Sequence, residues 1–317
     1  MNNLVSVLMP AYNHQNYVQD AIKSIINQTY KNIELIVIDD GSKDDTLNKI
    51  LELKGECEKR FTNFSFETQQ NKGTCETLNK LISKAKGDYV YIVASDDLVK
   101  PYAIECQAEF LNSNPQYGLV VGDNEIIDSK GEKCYWDEKR NNVYSKNEAK
   151  FLTFVDYLKN GCEFFNDKNF GTYESLQIGN YIPNGYLIRK STLDKVEPFS
   201  KEAPLEDYFL MLQLSKYAKF KFLYKVLFSY RWHGANTITN IEKIEKYTNM
   251  VRQYEKEILS KLDFKNTLPD VERVAKYGFC YKSFGIPYIF EIKKYLKDGR
   301  KTKVLRLFNS DIKVYFS

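Results

Sequence analysis

Histidine is almost missing from this chain of 317 residues: His14 and His233 are the only two. That argues against a zinc site built from His and Cys. The six cysteines, Cys57, Cys75, Cys106, Cys134, Cys162 and Cys280, stand too far apart for a C-x-x-C redox or zinc pattern. Reduced thiols in a cytoplasmic protein are the expectation that remains. No apolar run approaches the roughly 20 residues of a membrane-spanning helix, and Met1-Asn2-Asn3-Leu4 leads into a strand without a signal-peptide pattern. Net charge is only +4, and no basic stripe with interleaved aromatics precedes Tyr230, so no nucleic-acid partner is expected. Glycine is absent from Met9-Pro10-Ala11-Tyr12-Asn13-His14, where a dinucleotide-binding fold needs it for the backbone to approach a pyrophosphate. A D-x-D-G phosphatase signature fails because Ile38 stands two residues before Asp40, and no phosphate-loop lysine motif occurs.

What is present is alternation. Leu4–Met9, Ile33–Ile38, Phe64–Phe66 and 88–93 are short apolar runs of strand type. Between them Val18, Ala21, Ile22, Ile25 and Ile26 recur at helical spacing, and helices are predicted over Thr46–Leu53 and Thr74–Ala85. Strands alternating with helices mean βαβ units and a mostly parallel sheet, with ligands beyond the carboxyl ends of the strands. Polar clusters stand at those ends: Pro10-Ala11-Tyr12-Asn13, Asp39-Asp40-Gly41-Ser42 and Ser95-Asp96-Asp97. Further strands are predicted at Leu119–Gly122, Tyr186–Ile188 and Phe220–Tyr230, and an amphipathic helix at Glu206–Tyr217. Residues 129–175 suggest loops and short helices, and the chain beyond Ile238 suggests lysine-rich helix.

Asp96 and Asp97 place two carboxylates side by side at the edge of a core, which is unfavourable without relief. Asp97 capping the helix after Pro101, with Asp96 in an Asx turn, is one solution. A divalent cation bridging them to a diphosphate is the other, since Mg²⁺ or Mn²⁺ takes one or two protein carboxylates and completes its shell with phosphate and water.

The stretch "VSVLMPAYNHQNYVQDAIKSIINQTYKNIELIVIDDGSKDDT" resembles the opening of family 2 glycosyltransferases of the GT-A fold. There a strand ends in P-x-Y-N (here Pro10 to Asn13), a helix ends in S-x-x-x-Q-T (Ser24 to Thr29), and V-D-D-G-S-x-D-x-T follows (Ile38 to Thr46). "NKGTCETLNKLISKAKGDYVYIVASDD" is similar to the N-x-G-x-x-x-x-x-N, A-x-G-x-Y and D-x-D region, "APLEDYFLMLQL" to the acceptor-side E-D motif, and "YRWHGANT" to Y-R-x-H. The order and spacing of these motifs between Val5 and Thr237 make the match specific.

The resemblance implies an α/β GT-A domain over 1–238, with a nucleotide-binding half (1–100) and an acceptor half (101–238), followed by a C-terminal helical extension over 239–317. It implies an inverting, metal-dependent transfer of a sugar from a nucleoside-diphosphate sugar, a UDP-sugar first, to a hydroxyl of an oligosaccharide or lipid-linked cell-surface glycan. Pro10, Ala11, Tyr12, Asn13, Asp39, Gly41, Asn71, Gly73 and Asp96 would bind the nucleotide, with Asp39 accepting from a pyrimidine N3–H. Asp96 and Asp97 would hold Mn²⁺ or Mg²⁺. Asp207 would be the general base, Glu206 an acceptor-binding or orienting residue, and Arg231 and His233 contacts to diphosphate, acceptor or metal. Taken alone, Glu206 and Asp207 also suit the first turn of a helix, where acids complement the macrodipole and the dipole lowers their pKa.

Two positions depart from the family pattern: Ala94 replaces the first Asp of D-x-D, and Leu78 stands where many relatives have Arg. A non-catalytic nucleotide-sugar-binding protein with a degenerate metal site is therefore the alternative. The basic tail "KKYLKDGRKTKVLRLFNSDIKVYF" is compatible with peripheral contact at the inner face of an anionic membrane, or with a solvated helix face.

Overall fold

The computed structural model describes residues 3–160, 162, 164–234, 236, 239–286, 290–297, 300–307 and 310–314, with side chains through residue 278 apart from that of Ile241. Strands β1 (Val5–Ala11) and β2 (Ile33–Asp39) pair in parallel, from Val5 opposite Ile33 to Ala11 opposite Asp39. Both are buried almost end to end, which is why they appear in the sequence as continuous apolar runs and not as alternations. Helix α1 (Val18–Ile26) connects them and buries Val18, Ala21, Ile22 and Ile25. Helices α2 (Thr46–Glu52) and α3 (Lys54–Arg60) lead to β3 (Asn63–Thr68), parallel to β2. Helix α4 (Thr74–Lys84) then carries the chain back to β4 (Tyr89–Ile92), which pairs in parallel with the free side of β1. Growth of the sheet thus reverses at β1, and a crevice opens between the carboxyl ends of β1 and β4.

The second half completes the sheet. It runs through β5 (Leu98–Val99), α5 (Ala103–Ser113), β6 (Tyr117–Ile127), β7 (Lys133–Trp136), β8 (Asn142–Val143), α6 (Phe154–Lys159), α7 (Tyr173–Leu176), β9 (Leu187–Arg189), α8 (Lys190–Leu193), α9 (Glu206–Ser215) and β10 (Lys219–Arg231). The order across the sheet is β3-β2-β1-β4-β9-β6-β10-β5. Strand β9 is antiparallel to both neighbours, β10 runs parallel to β6, and β5 is antiparallel to β10. This is an α/β architecture with a mostly parallel central sheet. Alternate residues of β1 feed opposite cores: Leu8 packs with Leu78, Leu81 and Leu210, whereas Val7 and Met9 pack with Ile22, Ile25 and Ile104.

The expected helical extension over 239–317 holds only as far as Tyr277. After α10 (Ile241–Lys261) and α11 (Pro269–Tyr277), the chain forms β11 (Phe279–Ile286), β12 (Phe290–Lys297), β13 (Arg300–Leu307) and β14 (Ser310–Val314), an antiparallel sheet. The signal for strands lies in Phe290-Glu291-Ile292-Lys293 and Asp311-Ile312-Lys313-Val314, which alternate with period two, and in the turn-forming dipeptide Asp298-Gly299. The lysine content had suggested a helix face. The described backbone of the basic tail lies in β12, β13 and β14, and its side chains are outside the described residues. Among the described residues, no helix is long and apolar enough to cross a membrane.

Several family-type motif residues prove to be fastenings that aim the strand ends. Gln28 Nε2 donates to the carbonyls of Ser24 and Lys100, both at 2.9 Å, and Ser24 Oγ accepts from the Val99 N–H at 3.1 Å. The end of α1 is thereby tied to the segment directly after Asp96-Asp97. At Gly87 a Cβ would meet the Leu4 carbonyl at 2.7 Å, so only glycine lets the chain enter β4 there. Asn79 pairs with the Phe199 backbone in both directions, donating at 2.8 Å and accepting at 2.9 Å, which anchors the loop before α9.

Candidate active site

The crevice at the β1/β4 switch is a cavity of about 780 Å³. Its wall brings together Pro10, Tyr12, Asn13, Asp96, Asp97, Glu206, Asp207 and His233 from four distant parts of the sequence. Ala94 and Leu78, the two departures from the family pattern, line it as well. Ala11, Asp39, Gly41, Asn71, Gly73 and Arg231 do not.

At the β1 end, Asn13 adopts φ 54°, its N–H donates to Ser42 Oγ at 2.9 Å, and its Oδ1 accepts from the Lys43 N–H at 2.8 Å. This locks the β1 and β2 loops together and leaves the Tyr12 ring 40% exposed, an aromatic face available for stacking. Asp39 is buried; its Oδ2 accepts from Thr68 Oγ1 at 3.1 Å, while its Oδ1 has no partner among the described residues. Asp40 serves the fold: it accepts from the N–H groups of Lys72 and Gly73, each at 2.9 Å, and clamps that loop. Gly41 (φ 72°) allows the close approach, since a Cβ there would meet the Asn71 nitrogen at 2.8 Å.

At the β4 end neither adjacent carboxylate caps a helix, because the N-cap of α5 is Tyr102 and no side chain caps it. Asp97 is buried and accepts from the Arg231 backbone N–H at 2.8 Å. Burial, then the charge of Asp96, pushes the Asp97 carboxyl well above the usual range. Asp96 behaves oppositely. Burial alone would raise it, but the His233 hydrogen bond and the nearby imidazoles outweigh that and hold it below its ordinary value. His233 Nε2 lies 3.0 Å from Asp96 Oδ2 and His14 Nε2 lies 3.8 Å from the same oxygen. Both histidines of the chain therefore converge on one carboxylate. His14 Nδ1 shares a hydrogen bond of 2.7 Å with Ser95 Oγ, and Tyr17 stacks on His233 with ring centroids 5.1 Å apart.

Arg231 is structural in its contacts. Its Nε donates to the Asp96 carbonyl at 2.6 Å, Nη1 to the Asp128 carbonyl at 3.3 Å, and the guanidinium lies 4.9 Å from the Tyr17 ring centroid. It is 1% exposed and braces the cavity floor from behind. Its conspicuous place beside His233 in the sequence gives no sign of this.

At the start of α9, Asp207 Oδ1 accepts from the Tyr208 N–H at 2.6 Å, and Oδ2 accepts from Asn180 Nδ2 at 3.0 Å. The helix end lowers an acid here, as expected from the sequence, but burial prevails and raises Asp207. Burial, with the charge of Asp207, lifts Glu206 to about 7. The far end of α9 is pinned by a buried ion pair, Lys216 Nζ to Glu255 Oε1 of α10 at 2.9 Å, to which Tyr173 and Gln213 add hydrogen bonds. Sequence reasoning missed His14, Tyr17 and Asn180. The scarcity of histidine was the one available hint for His14.

A divalent cation fits this donor set as a partner and not as a caged ion. Among the described residues no three His, Cys, Asp or Glu side chains are arranged to hold a metal on their own. Asp96 with His233 nonetheless offers a carboxylate and an imidazole at the cavity wall, which suits an ion that draws its other ligands from a diphosphate and water.

Fold and site define a GT-A glycosyltransferase. The model of the family described as "Glycosyl transferase family 2" matches residues 6–170, just over half of the chain. An uncharacterized glycosyltransferase of Rickettsia typhi is 30% identical over 248 residues, spanning 77% of this chain and 69% of the relative. The chain belongs to glycosyl transferase family 2 and is a glycosyltransferase. Among solved structures, S. aureus TarS 1–349 in complex with UDP-GlcNAc matches with TM-score 0.53 at 13% identity, over 94% of this chain and 98% of that one. The mannosyltransferase PcManGT from Pyrobaculum calidifontis, in complex with GDP-Man and Mn²⁺, matches with TM-score 0.50 at 13% identity, over 86% and 79%.

Proposed function

We propose that the chain moves a sugar, with inversion, from a UDP-sugar to a hydroxyl of a cell-surface glycan. The carrying observation is the convergence on one cavity of a carboxylate flanked by imidazoles and lowered in pKa, Asp96, and a half-buried pair raised in pKa, Glu206 and Asp207. The unpartnered Oδ1 of Asp39 is an acceptor suited to a uracil N3–H, and the exposed Tyr12 ring is suited to the base face. Pro10, Ala11, Asn13, Gly41, Asn71 and Gly73 would shape the nucleotide site through the backbone.

Asp207 would take the proton of the acceptor hydroxyl as its oxygen forms a bond to the anomeric carbon and the bond from that carbon to the diphosphate oxygen breaks, releasing UDP. Its raised pKa makes it a stronger base than an exposed aspartate, and Asn180 holds its orientation. Glu206 would orient the acceptor. Mn²⁺ or Mg²⁺, when bound, would supply charge to the leaving diphosphate; Asp96 and His233 would hold it, with Asp97 fixing the loop from beneath. The TarS and PcManGT complexes, with UDP-GlcNAc in one and GDP-Man with Mn²⁺ in the other, support a nucleotide-sugar donor and a cation.

A lipid-linked acceptor would place the chain at the cytoplasmic face of a membrane, for which the lysine- and arginine-rich stretch between Lys293 and Arg306 supplies charge. UDP release from a panel of UDP-sugars, with Mn²⁺ and with chelator, is the test. Turnover that needs the cation and is lost in Asp96→Ala is expected. Nucleotide binding indifferent to metal, without turnover, would favour the non-catalytic alternative.

A further inference from the structure

Two clefts adjoin the donor cavity. One, of about 610 Å³, shares Tyr17 and His233 with it. The other, of about 440 Å³, shares Thr74, Glu206 and Asp207. An acceptor hydroxyl must meet the base and the anomeric carbon together, so its cleft has to share the base with the donor cavity. Only the second of these clefts does. Its remaining wall is basic: Lys72, Lys201 and Lys243 line it, from three separate segments.

None of the three ammonium groups is buried in the fold. Lys72 and Lys243 are exposed and have no carboxylate partner among the described residues. Lys201 is 75% exposed and pairs with Glu76 at 3.0 Å, an exposed pair that an incoming anion displaces at little cost. Lys243 lies 5.4 Å from the ring centroid of Tyr247, which also lines the cleft and offers a face to a sugar ring. Their backbones are held in place. The Lys72 N–H is clamped by Asp40, and the Lys243 N–H donates to Asn240 Oδ1, the N-cap of α10, at 2.9 Å. Burial raises both acids at the cleft's inner end, Glu206 and Asp207, so they oppose an anion less than exposed carboxylates would.

We propose that this cleft is the acceptor site and that it takes an anionic saccharide, one carrying carboxylates or phosphodiesters near the accepting hydroxyl. The proposal rests on Asp207 being the base. Phosphate and carboxylate both suit three separate ammonium groups, which act as point charges without the planar fork of arginine.

Binding to the full chain, with UDP and Mn²⁺ present, separates the sources. The probes are a hyaluronan hexasaccharide, a glycerol phosphate oligomer of the same length, and neutral chitohexaose. One of the anionic chains should bind roughly tenfold tighter than chitohexaose, and Lys201→Gln/Lys243→Gln should lose that preference while still binding UDP. Added salt should weaken the anionic probe alone. Neutral and anionic chains binding equally, neither anionic chain binding, or a preference that survives the double variant would each overturn the anionic site. Asp207→Asn tests the underlying assignment separately: it should bind the same anionic chain without transferring to it, and wild-type transfer by this variant would remove the base and leave the binding series to judge the cleft.

Discussion

Asp96-Asp97 at the end of β4 and Glu206-Asp207 at the start of α9 are both adjacent acid pairs on the wall of one cavity, yet their surroundings tune them differently. At β4 the pair is split. Asp97 points into the fold and accepts from the Arg231 backbone, while Asp96 sits against two imidazoles that keep it ionised. At α9 neither carboxylate forms an ion pair among the described residues, and burial lifts both carboxyls despite the helix dipole. A carboxylate kept charged beside nitrogen ligands suits a cation; one made basic by burial suits a proton. Pairs alike in sequence thus acquire different chemistry from partners far away in the chain.

The contrast is open to attack at both ends. The largest effect is expected from Asp207→Asn, which should lower kcat by about 10²–10⁴-fold while UDP binding persists. Loss of UDP binding with little change in kcat would reverse the roles of the two pairs. Next, Glu255→Ala leaves the buried Lys216 ammonium without its carboxylate beneath α9. Denaturant unfolding should register about 3–5 kcal/mol of lost stability. A near-neutral result would mean that α9, and the base it carries, is held from elsewhere.

The remaining predictions concern pH and are smaller. Activity, measured as kcat/KM, should rise with pH through about 7 as the Glu206-Asp207 pair loses its proton, and Glu206→Gln should move that rise to lower pH. Stability runs the other way. The folded state raises Glu206 from 4.5 to about 7, so it favours the protonated form; that contribution is complete below pH 4.5 and is lost as pH climbs through 7. Glu206→Gln should therefore melt about 2–4 °C higher than the wild type at pH 8 and no higher at pH 4. An equal gain at both pH values would mean that the carboxyl is not raised by burial.

Much of this was legible before the structure, for a physical reason. Buried parallel strands announce themselves as apolar runs, and residues at their carboxyl ends share one crevice by topology, so Tyr12, Asn13 and Asp96 could be grouped from sequence. Asp207 and His233 required the resemblance, because nothing local marks a strand end or helix start that folds back from a distance. Tertiary partnering was invisible. Arg231 looked like a ligand and proves to brace the Asp96 carbonyl from behind, whereas His14, to which the sequence assigned no role, faces the Asp96 carboxylate. Asn79 and Gln28 match family motifs yet serve to aim loops. The C-terminal strands were missed because lysine frequency was weighed above the period-two alternation of Phe290-Glu291-Ile292-Lys293 and Asp311-Ile312-Lys313-Val314.

The division of labour between the two acid pairs is tested most directly by the melting shift that UDP produces, with and without Mn²⁺, in the wild type, Asp96→Ala and Asp207→Asn. A ligand at 100 times its dissociation constant stabilises by about 2.7 kcal/mol, well within reach of such a measurement. Wild type and Asp207→Asn should both show a shift that requires Mn²⁺, and Asp96→Ala should show none. A full Mn²⁺-dependent shift in Asp96→Ala, or its loss in Asp207→Asn, would contradict the assignment.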